Sequence, residues 1–228
     1  MTGIIVLCRF NSSRLPGKIL KKVNGKPLLL YIVERLNSVS KQYPIVVCTS
    51  KEVTDNPIAE ICAENDINIY RGHLDNVALR FMNCALQNSF ENAVRINGDN
   101  LFLDDDLIKK LIHTHEEQGY LFSSNVKGRT FPKGMSVEIV NVKYYQEKFL
   151  NFEENDLEHV MTYFYRQESD KHKYHYNEKH VRLGLNFAID TQEDFSKASE
   201  IINKMTRPHT EYGIDQIIQL NKSIDEKK

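Results

Sequence analysis

Gly3-Ile4-Ile5-Val6-Leu7-Cys8-Arg9 runs directly into Phe10-Asn11-Ser12-Ser13-Arg14-Leu15-Pro16-Gly17-Lys18. The first part is apolar without polar alternation, the pattern of a strand buried on both faces of a parallel sheet. Such a strand delivers its following loop to the edge where open α/β sheets bind ligands. Pro16-Gly17 forces a turn, which lets Arg9, Arg14 and Lys18 converge. Clustered cations repel one another unless an anion sits among them, and a polyphosphate suits such a cluster. A solvated surface turn has the same composition, so charge and spacing alone leave both readings open. The loop is neither G-x-x-x-x-G-K-[ST] nor G-x-G-x-x-G.

The 228 residues suffice for one domain with a substantial core. A net charge of −1 gives no global attraction to nucleic acid or to an anionic membrane. No apolar stretch approaches the length of a membrane span, and no signal peptide is apparent, so a cytoplasmic protein is expected. Cys8, Cys48, Cys62 and Cys84 form no C-x-x-C pair, which points to reduced, buried thiols rather than a zinc site.

Leu28, Leu29, Ile32, Val33 and Leu36 recur at helical spacing over 27–39, and residues 44–50 read as a second buried strand ending in Thr49-Ser50. Asp55 or Asn56 caps a helix to about residue 65, with Pro57 in its first turn. A short strand is expected over 66–70, a helix opening within 71–81, and a fourth strand over 92–96 that ends in Asn97-Gly98-Asp99. An acid at the end of a buried strand is costly without a partner, and an oxygen-seeking cation would be one. Asp104-Asp105-Asp106 precedes an amphipathic helix, where acids suit the dipole. The same triplet also fits a D-x-D metal motif of a glycosyltransferase. His113 and His115 point to different faces of that helix and make a poor metal pair.

Another strand is expected over 120–125, and Lys171-His172-Lys173-Tyr174-His175-Tyr176 reads as a solvated hairpin or sheet edge. The last strand is expected over 181–190. Thr191 and Asp194 form a capping-box pair. That box does not account for Asp190. A helix then runs to about residue 204, a final one covers 212–220, and residues 223–228 are expected to be disordered. The expected fold is α/β, a Rossmann-like, mostly parallel sheet with helices on both faces and a small mixed lobe. It forms a single domain over 1–222, with a larger half (about 1–118 plus 181–222) and a smaller lobe (about 119–180).

Arg9-x-x-x-x-Arg14-Leu15-Pro16-Gly17-Lys18, followed by Gly25-Lys26-Pro27-Leu28, resembles the signature of the sugar-nucleotide cytidylyltransferases. That superfamily includes the CMP-Kdo and CMP-sialic acid synthetases. The resemblance is closest to the cytidylyltransferase-like proteins of the spore-coat polysaccharide type, and it extends over about residues 3–195. It implies transfer of CMP from CTP to a sugar-type, acidic or phosphorylated acceptor, with release of pyrophosphate, in polysaccharide or glycoconjugate biosynthesis. A Mg²⁺ cofactor and a homodimer are implied as well.

Residue by residue, the resemblance assigns Leu7, Arg9, Arg14, Lys18, Thr49, Ser50, Arg71, Asp75, Arg80, Asn97 and Gly98 to the nucleotide. Asp99 matches the family's metal ligand, although Asn97 replaces the commoner Gln. Asp190 matches the family's second metal Asp, with Gln192 in place of Pro. Arg14, Lys18, Asp99 and Asp190 are then the catalytic set. The stretch Ser124-Asn125 … Arg129-Thr130-Phe131-Pro132-Lys133-Gly134 … Val137-Glu138 is similar to the family's acceptor region, which nominates Asn125, Arg129 and Glu138. His159, in Glu158-His159-Val160-Met161-Thr162, is a further acceptor candidate despite the inserted Met161. Two other classes stay open, a nucleotide-sugar glycosyltransferase dependent on Asp104 or Asp106 and a non-catalytic nucleotide-binding protein.

Overall fold

The computed structural model describes residues 1–177 and 184–226. Strand β1 (Thr2–Leu7) is buried at every position. Its alternation splits the core, because Ile4 and Val6 pack into one hydrophobic cluster while Ile5 and Leu7 pack into another on the opposite face. A two-stranded hairpin of β2 (Lys22–Val23) and β3 (Lys26–Pro27) leads into helix α1 (Leu28–Ser40). Then come β4 (Ile45–Ser50), α2 (Asn56–Glu64), β5 (Ile69–Gly72), α3 (Val77–Gln87) and β6 (Asn92–Asn97). The strands β5, β4, β1 and β6 lie side by side and parallel, as right-handed β-α-β crossovers arrange them.

The chain continues through α4 (Asp105–Glu117), β7 (Phe122–Ser124), β8 (Glu138–Asn141), α5 (Val142–Phe149), α6 (Glu154–Glu158), α7 (Thr162–Tyr165) and β9 (His172–Tyr174). These strands extend the same sheet in the order β5-β4-β1-β6-β8-β7-β9. Only β8 reverses direction, pairing antiparallel to both β6 and β7. The basic-aromatic stretch therefore forms a sheet edge. Helices α8 (Gln192–Asn203) and α9 (Ile214–Asp225) complete the fold. Ile108, Ile201 and Ile217, from α4, α8 and α9, join the Ile4 face, whereas Phe81 of α3 and Tyr145 of α5 join the Ile5 face. Helices thus cover both faces of the sheet.

Side chains cap α3, α4 and α8. Asn76 accepts from Leu79 N at 2.8 Å, Asp104 accepts from Leu107 N at 2.9 Å, and Thr191 forms the expected box with Asp194. Asp104 also accepts from Ile214 N at 2.8 Å, which ties α4 to α9 and occupies both of its oxygens. Asp105 pairs with Lys109 at 2.8 Å. The acidic triplet is thus a helix start.

Four expectations are corrected. Asp55 precedes α2 but makes no side-chain cap. The third strand begins at Ile69 rather than residue 66, because Asp66 (φ 53°) is still turning out of α2. Among the described residues of the last expected strand, Asn186 and Ala188 make only isolated bridges, to Lys133 and Asn100, and Gly184 takes a left-handed φ of 55°. Residues 181–183 lie outside the described residues. Helix α9 continues through Asp225, where disorder was expected from residue 223, because Ile224 is buried in the core. Residues 227 and 228 lie outside the described residues.

Candidate active site

The loop after β1 folds back on its own start. Gly17 N donates to Phe10 O at 2.8 Å, and Gly17 adopts φ 68°, a left-handed turn open to glycine at little cost. Asp55 holds this loop to the sheet. Its carboxylate accepts from Phe10 N at 2.7 Å, from Thr49 Oγ1 at 2.8 Å, and from both the amide and hydroxyl of Ser50. Burial pushes the Asp55 carboxyl up, but the hydrogen bonds from Ser50, Phe10 and Thr49 more than offset this and hold it below the usual range.

Lys18, in the short helical turn that closes the loop, points at the far end of the chain. Its Nζ donates to Ile189 O at 2.6 Å and to Asp190 Oδ1 at 3.0 Å, and lies 3.7 Å from Asp99 Oδ2. Arg14 reaches the other Asp190 oxygen at 2.9 Å, and Arg9 lies 3.3 Å from Glu158. Asp99 and Asp190 meet because Ile189 N donates to Asp99 O at 3.2 Å and Ala188 bridges Asn100. Gly98 lets this edge sit close to β1. A Cβ there would lie 2.7 Å from Cys8 Cβ and 3.1 Å from Leu7 O. Burial raises the Asp99 carboxyl pKa, with Lys18 opposing and Asp190 adding to the rise.

Two cavities open at this edge. The first, of about 310 Å³, is walled by the cationic loop and by Val77, Arg80, Gly98 and Asp190. The second, of about 380 Å³, lies over β8 and the loops around it, with Lys127, Arg129, Lys133, Glu138 and Tyr165 in its wall. Arg95, Asn97, Asp99 and His159 line both. The two volumes therefore meet along the C-terminal half of β6 and the end of α6. One cavity is rich in cations, and the other is lined by side chains of both charges.

A family model described as cytidylyltransferase matches residues 3–224. The chain belongs to the cytidylyltransferase family. It is 31% identical over 204 residues to an uncharacterized protein of Methanocaldococcus jannaschii, covering 86% of this chain and 81% of that protein. It is 26% identical to the spore coat polysaccharide biosynthesis protein SpsF of Bacillus subtilis, covering 97% of this chain and 94% of SpsF. A cytidylyltransferase structure from Leptospira borgpetersenii superposes with a TM-score of 0.91 at 25% identity, covering 99% of this chain and 95% of the other.

In this cytidylyltransferase, Leu7, Arg9, Arg14, Lys18, Arg80, Asn97, Gly98, Asp99 and Asp190 all reach the first cavity, and Arg129, Glu138 and His159 reach the second. Five nominated residues reach neither. Thr49 and Ser50 are fully buried on Asp55. Arg71 is spent on Ser50 O, Glu52 O and Asn56 Oδ1, each at 2.9 Å. Asp75 is exposed outside both volumes. Asn125 clamps the loop before β8, donating to Met135 O and accepting from Val137 N, both at 2.8 Å. Glu138 lies in the cavity wall with both oxygens engaged, one by Arg95 and one by Tyr165.

Among the described residues no cluster of three or more His, Cys, Asp or Glu side chains forms a protein-only metal cage. The Asp99-Asp190 pair still suits Mg²⁺, which takes few protein carboxylates and fills its shell with water and phosphate oxygens. Asp99 Oδ1 is buried with no protein partner, as an oxygen reserved for a cation would be. Sequence reasoning passed over Arg95. Its signal was a lone cation in the middle of the otherwise apolar Ala93-Val94-Arg95-Ile96.

Proposed function

We propose that this protein transfers CMP from CTP to a sugar-type acceptor bearing a carboxylate or phosphate, releasing pyrophosphate, in polysaccharide or glycoconjugate biosynthesis. The observation that carries this reading is the shared wall of Arg95, Asn97, Asp99 and His159 between a cationic cavity and a second polar cavity. CTP in the first would place its α-phosphorus at the junction, within reach of an acceptor in the second. Family membership supports CTP as the nucleotide, and the likeness to SpsF supports a saccharide product.

The acceptor hydroxyl oxygen bonds to the α-phosphorus in line, and its proton passes to solvent water. The α–β bridging bond breaks, and its electron pair leaves on pyrophosphate. Arg9, Arg14 and Lys18 bind the β- and γ-phosphates and neutralise that leaving charge. Lys18 is held beside the site by Ile189 O and Asp190. Asp99 and Asp190 would hold Mg²⁺, which when bound supplies positive charge to phosphate oxygens. Arg129 and Lys133 would hold the acceptor's anionic group, and His159 lies where the two ligands meet. Positioning and electrostatics do most of the work. The reading places the enzyme in the cytoplasm, and as a homodimer.

The test is thermal unfolding with each of the four nucleoside triphosphates, with and without Mg²⁺, followed by pyrophosphate release with acidic and phosphorylated sugars. CTP with Mg²⁺ at saturating concentration is expected to raise Tm by roughly 5–10 °C, the shift for about 2.7 kcal/mol of ligand stabilisation in a chain of this size. Stabilisation by nucleotide-sugars alone would reject the reading in favour of a glycosyltransferase. Nucleotide binding without pyrophosphate release from any acceptor would point to a non-catalytic protein.

A further inference from the structure

We propose that Arg95 is a catalytic residue that takes up charge developing on the α-phosphoryl oxygens, and that Glu138 and Tyr165 are the positioning residues that aim it. This inference rests on the cytidylyl-transfer reading above.

Arg95 on β6 and Glu138 on β8 are direct cross-strand partners, and Ser124 on β7 is the next residue in the same row. Tyr165, from α7, lies over that row. Its hydroxyl donates to Glu138 Oε1 at 2.6 Å and therefore accepts from Ser124 Oγ, also at 2.6 Å. Ser124 Oγ in turn accepts from Val126 N at 2.9 Å. The other Glu138 oxygen accepts from Arg95 Nη1. Every link is satisfied up to the guanidinium, and there the network stops. Arg95 Nε is buried with no hydrogen-bond partner.

A buried ion pair is seldom more stable than a well-packed apolar pair of the same volume, and a polar network with one open end is worse. Stability alone therefore gives no reason for Arg95 among Ala93, Val94 and Ile96. Location does. Arg95 stands two residues before Asn97 and four before Asp99, and it lines both cavities. The atoms at such a junction are those that react. Guanidinium N–H groups suit two phosphoryl oxygens at once. Arg95 moves no proton. It supplies donors, held by Glu138, to oxygens whose charge grows as the acceptor bond forms and the pyrophosphate bond breaks.

Removing Arg95 alone would strand the Glu138 charge, so the test uses the charge-neutral Arg95→Met/Glu138→Gln double variant, together with Arg95→Lys. Tm, CTP affinity by calorimetry with Mg²⁺, and pyrophosphate release are measured for each and for the unmodified protein. The double variant is expected to bind CTP within about threefold of the unmodified protein, with kcat lower by roughly 10²- to 10³-fold. Arg95→Lys, which keeps the charge but not the fork, is expected to lose at least about tenfold in kcat. A kcat unchanged in either variant would overturn the role. If the double variant fails to fold, Arg95→Lys decides alone. An unmodified protein that neither binds CTP nor releases pyrophosphate would overturn the cytidylyl-transfer reading, and this role with it. Normal turnover in the unmodified protein and the Arg95 variants alike would overturn only this role.

Discussion

Lys18 and Asp190 are 172 positions apart, and their side chains meet at 3.0 Å. The ammonium also lies 3.7 Å from Asp99, so one cation joins the two carboxylates at the mouth of the first cavity. This contact pins the cationic loop to the far end of the chain before any ligand arrives. Replacing Lys18 by Met removes a preorganised charge and leaves the two carboxylates facing each other. Pyrophosphate release is expected to fall by roughly 10²-fold or more, with weaker CTP binding. A change of less than about twofold would exclude the phosphate role.

Asp99→Asn separates function from stability. The folded state holds this carboxyl above its usual range, mainly through burial, so its ionised form is a cost to the fold at neutral pH. Asn removes that cost and keeps the shape. Tm is expected to stay level or rise, while Mg²⁺-dependent turnover falls by roughly 10²-fold or more. Full activity in this variant, or a Tm unchanged by Mg²⁺ in the unmodified protein with CTP present, would remove Asp99 from the metal site.

Asp55→Ala tests the other anchor of the loop. The variant leaves Phe10 N, Ser50 and Thr49 without their acceptor in a buried place. The expected loss is about 3 kcal/mol, since hydrogen bonds to a buried charge are the strong ones. Tm should drop by roughly 6–12 °C. CTP affinity should fall as well, because Arg9 and Arg14 flank the released Phe10. Urea denaturation and calorimetry would measure the two effects separately.

His115 predicts an acid limb of stability. Its ring lies between Ser123 Oγ at 2.8 Å and Asn92 Oδ1 at 3.3 Å. Burial, then the nearby His175, lowers its pKa to about 4. The unfolded chain takes up the proton near its ordinary value and the folded chain does not. Stability is therefore fully present above that value and is lost as pH falls toward about 4. Between pH 7.5 and 5 this one residue should remove about 2 kcal/mol. His175, also lowered to about 4 and first by burial, adds in the same direction. Urea midpoints against pH, compared with those of His115→Gln, would check it. An equal slope in both proteins would assign the acid limb to other groups.

Much of the fold was legible because the signals are local. A short unbroken apolar run with β-branched residues fits a strand buried on both sides, and β1 is one. Thr191 announces its helix because a cap is satisfied within three residues. Asp55 read as another cap and proved to be the anchor of a distant loop, since the same short carboxylate serves either partner. The segment after Gly184 read as a strand from its apolar alternation. Among the described residues it makes only isolated bridges, from Asn186 to Lys133 and from Ala188 to Asn100.

The same division runs through the site. Local residue patterns carried the family, the doubly covered sheet and the cationic loop, and the family resemblance added Asp99 and Asp190. Tertiary contacts made Thr49, Ser50, Arg71 and Asn125 spend their hydrogen bonds on the scaffold, and they placed Arg95 at the meeting of two cavities. A side chain's partners depend on which strands lie next to it and in what register. That register is set by the whole folded sheet and not by the neighbours in sequence.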